Sequence, residues 1–226
     1  MSLAVRSTAE ELMDADDLDP ATYGAVIGDL ARVNTVTLAR RPTLAFLRRA
    51  VRGRRMRLLD VGFGDGDMLR SIARWAVQHD VTAELVGVDL NPRSAPAAVA
   101  HTPGEMPIRY VTGDYADQGG GWDAVVSSLV AHHMTPVQLI AFLRFMNANA
   151  RSWFINDLHR HAVAYIGFPL LAALAHWHPI VRHDGRVSIA RSFRPSEWRA
   201  ILAEAGVSNA RVFRAFPFRL CVECVR

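Results

Sequence analysis

Residues 57–68 read RLLDVGFGDGDM, an apolar run that breaks into three glycines and two aspartates. A continuous apolar run that ends at glycine is typical of a strand buried on both faces of a parallel sheet. The residues that follow, DMLRSIARWAVQ (67–78), carry apolar side chains at helical spacing. The stretch therefore predicts a strand, a tight turn and a helix, the opening unit of a doubly wound α/β fold.

The spacing of the glycines indicates which kind of ligand the turn accepts. Gly62, Gly64 and Gly66 form G-x-G-x-G, whereas a dinucleotide-binding turn is expected to read G-x-G-x-x-G. Asp65 and Asp67 add negative charge beside the turn, where a phosphate would be repelled. The pattern disfavours an NAD-dependent oxidoreductase and favours a ligand that carries a cation and no phosphate.

Four further apolar runs alternate with helical segments, and their ends are polar. They are ELVGVDLN (84–91), IRYVTGDY (108–115), WDAVVSSL (122–129) and SWFINDL (152–158). Ligands of doubly wound sheets bind beyond the carboxyl ends of the strands. We therefore expect a site near the acids that end the strands: Asp60, Asp89, Asp114 and Asp157.

The C-terminal part predicts a helix (193–207) followed by two alternating strands that close the sheet as an antiparallel hairpin. With these strands the prediction is a Rossmann-like, doubly wound, seven-stranded α/β sheet in one domain, 1–226. It comprises an N-terminal helical cap (1–56), a ligand-binding core (57–158), an apolar helical insertion (159–192), and the C-terminal helix and hairpin (193–226). The insertion is expected to fold over the site as a lid, or to pack on the body or on a second copy in a homodimer.

Composition narrows the classes of partner. The net charge is only +4, and all 26 strong cations are arginines, so the isoelectric point of about 9.7 overstates the basic character. The arginines are scattered apart from 48–57, and no nucleic-acid partner is expected. No segment predicts a secretory signal or a membrane span. Cys221 and Cys224 are predicted as structural thiols on opposite faces of a strand, in a protein of the reducing cytoplasm.

Four consecutive segments resemble the motifs of class I S-adenosylmethionine-dependent methyltransferases. They are LLDVGFGDGD, VGVDLNP, VTGDYAD and DAVVSSLVAHHM, in the family's order within 57–158. Within that superfamily the chain is most similar to small-molecule enzymes such as the ubiquinone and menaquinone biosynthesis methyltransferases. Phe63 departs from the pattern, since many members carry a small residue there.

The resemblance implies S-adenosylmethionine as the methyl donor. It implies that the glycines let the backbone approach the methionine part, that Asp89 accepts hydrogen bonds from the ribose hydroxyls, and that Asp114 and Tyr115 adjoin the adenine. The donor-binding residues expected on this basis are Asp60, Gly62, Phe63, Gly64, Asp65, Gly66, Asp89, Leu90, Asp114, Tyr115, Ser127 and Ser128.

The ends of the fourth and fifth strands supply candidate bases for the acceptor. His133 and His159 are the candidate proton acceptors, and Asp157 is expected to orient His159 as an acid–histidine pair. The acceptor is expected to contact His132, His161, Tyr165, Phe168 and Trp177. No metal is expected, because His176, His178 and His183 lack the spacing and acidic company of a zinc site.

These features predict methyl transfer to a small apolar aromatic compound, on a phenolic oxygen of a polyketide or quinone-like molecule. Three alternatives remain open on the sequence. They are a C-methyltransferase acting on a similar compound, an RNA or protein methyltransferase, and a non-catalytic donor-binding scaffold.

Overall fold

The computed structural model describes residues 3–15 and 17–226. Its seven-stranded sheet has the order β3-β2-β1-β4-β5-β7-β6. Strands β1 to β5 are parallel, while β7 runs antiparallel to both β5 and β6. The strands are β1 (Arg55–Val61), β2 (Thr82–Asp89), β3 (Ile108–Thr112), β4 (Trp122–Ser128), β5 (Ala150–Leu158), β6 (Arg211–Ala215) and β7 (Arg219–Cys224). The predicted sheet and C-terminal hairpin are confirmed.

Helices cover both faces of this sheet. They are α1 (Pro20–Val36), α2 (Arg41–Ala50), α3 (Asp67–Gln78), α4 (Ser94–His101), α5 (Pro136–Asn149), α6 (Ala162–Leu174), α7 (Pro179–Arg191) and α8 (Pro195–Ala205). One core contains side chains of α2, α3 and α4, including Phe46 and Leu69. The other contains side chains of α5 and α8, including Phe142 and Trp198. Burial on both faces explains the unbroken apolar runs of the central strands.

Several element boundaries differ from the sequence prediction. Strand β3 ends at Thr112, so that Asp114 and Tyr115 belong to a short 3-10 turn rather than to the strand. The fourth strand is followed by helix α5, which has a threonine cap. The Thr135 hydroxyl accepts the backbone N–H of Gln138, whose side chain bonds back to the cap.

The turn after β1 requires glycine at two of its positions. Gly62 and Gly66 have φ angles of 75° and 77°. A side chain at Gly62 would collide with Val130, and one at Gly66 would collide with the Tyr110 ring. Gly62 therefore lets the turn approach the loop after β4, Gly66 lets it approach β3, and both permit its left-handed backbone.

The predicted insertion is a pair of packed helices, α6 and α7. Trp177 and Val181 share an apolar cluster with Val26 and Val33 of α1, so the insertion is joined to the N-terminal helices. The N-terminal segment lies along α7, where the Asp184 carboxylate accepts the backbone N–H groups of Leu12 and Met13. Within the described residues, no helix combines the length and apolar character that crossing a membrane requires.

The two cysteines are buried and unbonded. Cys221 belongs to the core under α2 and α3, and Cys224 to the core under α5 and α8. Their positions on opposite faces of β7 confirm the prediction from their spacing.

Candidate active site

A cavity of about 680 Å³ lies beyond the carboxyl ends of the parallel strands. Its sheet side is formed by the glycine turn after β1 and by the segments that follow β2 and β4. Apolar side chains of α1, α6 and α7 form the opposite wall. The cavity-lining residues used below are Glu11, Asp14, Gly62, Phe63, Gly64, Asp65, Asp89, Leu90, Ser128, His132, His133, Phe168, Phe218 and Arg219.

The Asp89 carboxylate organises the donor side of the cavity. Its Oδ2 accepts the Gly64 N–H at 2.9 Å, and its Oδ1 accepts the Asn91 N–H at 2.9 Å. Each carboxylate oxygen can accept more than one hydrogen bond, so both can also receive a ligand hydroxyl. Asp89 forms no ion pair with any described residue. No described cationic side chain therefore pairs with this acceptor at the edge of β2.

The negative charge expected of Asp65 and Asp67 is compensated within the protein. Asp65 pairs with Arg70 at 3.0 Å, and Asp67 pairs with Arg40 at 2.8 Å. The two aspartates thus stabilise the turn and the N-terminus of α3, where an acid is favourable. The negative charge that the sequence places beside the turn is thus partly balanced by two arginine side chains.

Asp60 differs from these acids, because both its carboxylate oxygens are buried without a partner among the described residues. Burial, with the nearby negative charges of Asp89 and Asp67, raises the pKa of Asp60 to about 8. It lies beside a small pocket of about 50 Å³ that Gly62 and Ser128 also line. A positively charged group entering this pocket would stabilise the ionised carboxylate.

The Asp60→Asn variant is expected to show how much the ionisation of this buried acid lowers the unfolding free energy. The folded chain holds the Asp60 proton up to a pKa of about 8, against an ordinary value of 3.8. The unfolded chain loses that proton first, so the unfolding free energy should fall as pH rises through this window. Asparagine does not titrate. Between pH 5 and pH 8 the melting temperature of the wild type should therefore fall relative to the variant by about 5 °C or more.

Thermal melts of both proteins without ligand, over that pH range, provide the measurement. Comparing the two proteins cancels the titration of groups that they share. Parallel melting curves for wild type and variant would contradict the assignment of a raised pKa to Asp60.

The other residues expected to bind the donor divide into two groups. Phe63, Leu90 and Ser128 line the cavity. Leu90 is 72 % exposed, so it presents apolar surface there. The Ser127 hydroxyl instead donates to the Val61 carbonyl at 2.8 Å and joins β4 to β1. Tyr115 packs against Phe142 and Phe145.

Asp114 is exposed and caps the 3-10 turn by accepting the Ala116 N–H. It lies at the same edge of the sheet as Asp89, because the Gly113 N–H bonds to the Asp89 carbonyl. Neither Asp114 nor Tyr115 lines the described cavity.

The two histidines after β4 are held rigidly. Arg6 and Arg191 donate to the carbonyl of His132, and Arg191 also donates to the carbonyl of His133. The Asp157 carboxylate accepts both the backbone N–H of His132 at 2.8 Å and its ring Nδ1 at 2.7 Å. These hydrogen bonds hold the loop, and with it both imidazole rings, in place.

His132 lies between two buried acids. Its Nδ1 bonds to Asp157, and its Nε2 is 3.5 Å from Oε1 of Glu11. Burial disfavours the charged imidazolium, but Asp157 and Glu11 outweigh burial and raise the pKa of His132 to about 9. His132 is therefore a cation at neutral pH, and the same network holds the pKa values of Glu11 and Asp157 below their ordinary range despite burial.

His133 has the opposite character. Burial and the charge of His132 lower the pKa of His133 to about 4. Its ring nitrogens are 3.7 Å from Glu11 and Asp14, too far for good hydrogen bonds, and 34 % of its side-chain surface stays accessible. The structure thus places at the cavity wall an imidazole whose low pKa favours the neutral form.

The expected pair of Asp157 and His159 does not form, because Asp157 bonds to His132 instead. The His159 ring lies against His161, and burial together with Arg214 lowers the pKa of His159 to about 4. Neither histidine is among the residues that line the described cavity. His161 caps α6 by accepting the Val163 N–H. The predicted pair of Asp157 and His159 is therefore wrong. Strand β5 packs against the loop after β4, which brings Asp157 to His132 instead.

Only one of the three aromatic residues expected to contact the acceptor reaches the cavity. Phe168 lines it. Tyr165 is buried among Ile189 and Ala190, with the Arg186 guanidinium over its ring. Trp177 packs into the cluster between α1 and α7.

The histidines of the insertion have separate local roles. His178 caps α7, His183 bonds to Asp184, and His176 is exposed. Elsewhere in the described chain, Glu11, His132 and His133 bring potential ligand atoms within 4.8 Å of one another. In the structure this group is engaged with protein partners, since the His132 ring Nδ1 contacts Asp157 and the Ser188 hydroxyl donates to Glu11.

Two residues of the site were not foreseen from the sequence, Glu11 and Arg219. Glu11 precedes the first helix, and the Ser188 hydroxyl bonds to its carboxylate at 2.7 Å. Arg219 begins β7 and is 2 % exposed. Neither belongs to a motif, and the only available signal was an arginine within an otherwise apolar strand pattern.

Comparison with known proteins agrees with this geometry. Residues 58–152 match the sequence model of a methyltransferase domain. Among curated proteins, no sequence gives a significant match.

Solved structures with the same fold cover nearly the whole chain. A plantazolicin methyltransferase bound to S-adenosylhomocysteine and a substrate analogue has a TM-score of 0.64 at 12 % identity, over 92 % of this chain and 91 % of that one. The magnesium protoporphyrin IX methyltransferase of Synechocystis has a TM-score of 0.59 at 18 % identity, over 95 % and 90 %. A putative O-methyltransferase from Nostoc punctiforme has a TM-score of 0.60 at 16 % identity, over 88 % and 60 %.

The order of the strands, the glycine turn and the strand-ending acids belong to one architecture. Residues 58–152 match the model of a methyltransferase domain, and the chain shares its fold with solved methyltransferases that bind S-adenosylhomocysteine.

Proposed function

We propose that the protein transfers a methyl group from S-adenosylmethionine to a phenolic oxygen of a small, largely apolar aromatic acceptor. The observation that carries the proposal is the cavity of about 680 Å³ that joins the glycine turn and Asp89 to the histidine loop and the apolar face of the insertion. Donor and acceptor can therefore lie in contact, shielded by α6 and α7. The solved neighbours are named for small-molecule acceptors, plantazolicin and magnesium protoporphyrin IX, which supports the same class.

The residues on the donor side fit S-adenosylmethionine. Asp89 offers a charged acceptor for the two ribose hydroxyls, and Leu90 offers an exposed apolar surface beside it. The orphaned Asp60 carboxylate has room beside it for an ammonium group. No feature of the turn offers a basic side chain to a pyrophosphate, since Arg40 and Arg70 are engaged with Asp67 and Asp65.

On the acceptor side, the chain supplies alignment and a proton acceptor. When bound, the donor presents a methyl group on a positively charged sulfur and is already activated. A phenolic oxygen held against the histidine loop forms the new C–O bond as the C–S bond breaks, and the pair of electrons stays on sulfur. His133 takes the phenolic proton, while Glu11, His132 and Asp157 keep the loop in place.

The other functions considered are less well supported. The acceptor wall consists largely of apolar side chains from α1, α6 and α7, which suits a small molecule better than an RNA backbone. Transfer to oxygen is favoured over transfer to carbon because a neutral histidine stands beside the acceptor space. Among the described residues that line the cavity, Arg219 is the one arginine, so they form no basic groove of the kind a nucleic acid would need.

Titration calorimetry tests the donor half of the proposal. S-adenosylhomocysteine should bind with a Kd in the micromolar range, and NAD should give no measurable heat. Binding of NAD in place of the homocysteine product would overturn the proposal. A screen of phenols with radiolabelled donor then tests the acceptor half, and transfer only to carbon or nitrogen acceptors would contradict the choice of oxygen.

A further inference from the structure

Arg219 is a buried cation that the proposed reaction does not use. It starts β7, is 2 % exposed, and lines the cavity next to Phe218. Its Nη2 donates to the Thr37 hydroxyl at 3.2 Å, but its Nε and Nη1 have no partner among the described residues. Leaving a guanidinium buried with unmade hydrogen bonds is costly, so the arrangement calls for an anion.

No carboxylate of the described chain supplies that anion. The electrostatic influence of Asp157 on Arg219 opposes the effect of burial, but the two form no ion pair, because both Asp157 oxygens are engaged with the His132 loop. Arg219 keeps its positive charge at any accessible pH. The charge is thus available to a ligand.

The position of Arg219 assigns it to the acceptor rather than to the donor. The glycine turn follows β1, while Arg219 pairs with Leu158 of β5 from the far side, on β7. The sheet order β1-β4-β5-β7 separates the two by three strand spacings, which is about 14 Å at the usual interval. A donor placed over the turn and Asp89 would leave Arg219 to the other half of the cavity.

We propose that Arg219 binds an acidic group of the acceptor, so that the substrates are aromatic anions, such as phenols that carry a carboxylate. The guanidinium can give a carboxylate a charge-assisted hydrogen bond from an N–H group, Nε or Nη1, that no described residue engages. The statement that the anion belongs to the methyl acceptor rests on the proposed function. The existence of an anion subsite at Arg219 does not depend on methyl transfer.

A pair of fluorescent probes tests the subsite directly. Anilinonaphthalene sulfonate is an aromatic anion, and N-phenylnaphthylamine is its neutral counterpart. Both are titrated into protein saturated with S-adenosylhomocysteine. We expect Arg219→Gln to raise the Kd of the anionic probe at least about tenfold and that of the neutral probe less than about threefold, since only the former loses a charge-assisted pair.

Arg214→Gln is the matched control, because it removes the same charge from an exposed position on the neighbouring strand β6. It should leave both Kd values within about twofold. Arg219→Lys, which keeps the charge, should retain most of the anionic binding and covers the case in which Arg219→Gln does not fold.

Three results would overturn the inference. They are failure of the loaded wild type to bind the anionic probe, an equal loss of both probes in Arg219→Gln, and a loss of S-adenosylhomocysteine affinity without loss of the anionic probe. The third result would assign Arg219 to the donor. If the anionic probe binds through Arg219 while S-adenosylhomocysteine alone does not bind, the proposed function fails and the anion subsite stands.

Discussion

Replacing His133 by alanine is expected to lower kcat about a hundredfold and to change the affinity for S-adenosylhomocysteine less than about threefold. The loss of a positioned base costs roughly 10² to 10⁴ in rate. We expect the lower end of that range. With a pKa of about 4, His133 is a weak base, and it can only take the proton as the C–O bond forms. Single-turnover rates with labelled donor and an acceptor from the phenol screen provide the measurement.

The pH profile of the wild-type enzyme is a second test of His133 as the base. The pKa of His133 is held near 4 by burial and by the positive charge of His132, with Glu11 opposing and Arg191 adding to that effect. The imidazole is neutral above that value, so kcat/KM of the wild type should rise between about pH 3 and pH 5 and stay level to pH 7. An acid limb near 6.5 would mean that the base lies elsewhere.

His159→Ala is the matched control, since it removes a second histidine of low pKa that does not line the cavity. It should leave the single-turnover rate within about threefold of the wild type. Equal loss of activity in the two variants would contradict the assignment of the base to His133.

Replacing Asp89 by alanine is expected to weaken S-adenosylhomocysteine binding at least about a hundredfold. Hydrogen bonds to a charged acceptor are worth about 1.5 to 3 kcal/mol each, and two ribose hydroxyls would lose such a partner. The variant also loses the bonds that the carboxylate accepts from the backbone of Gly64 and Asn91, so that the turn is less well ordered. Both effects act on donor affinity.

Calorimetry with two further variants separates these contributions. Asp89→Asn keeps one acceptor oxygen and should lose less affinity than Asp89→Ala. Asp114→Ala removes an exposed acid at the same edge of the sheet, outside the cavity, and is expected to cost less than about tenfold. If alanine at 89 and at 114 had equal effects, Asp89 would not be the residue that holds the ribose.

The order of the motifs predicted the positions of more residues on the donor side of the cavity than on the acceptor side. The glycine turn, Asp89 and the histidine loop after β4 are each encoded within a few residues of a strand end, so their placement follows from recognising the strand. The acceptor side is formed by residues of α1, α6, α7 and the segment before α1. No periodic pattern in the sequence shows how these elements pack against one another. Tyr165 and Trp177 are therefore buried in helix contacts, although both belong to the apolar stretch expected to line the cavity.

The sequence by itself determined the alternation of strands and helices, the C-terminal hairpin, the opposite faces of Cys221 and Cys224, and the acids at the strand ends. These features depend on local periodicity and turn chemistry, which neighbouring residues encode. Only the tertiary structure decided that Asp157 pairs with His132 rather than His159, and that Arg40 neutralises Asp67. It alone brought Glu11 into the site, because such partners lie tens to more than a hundred residues apart and meet only when the helices pack.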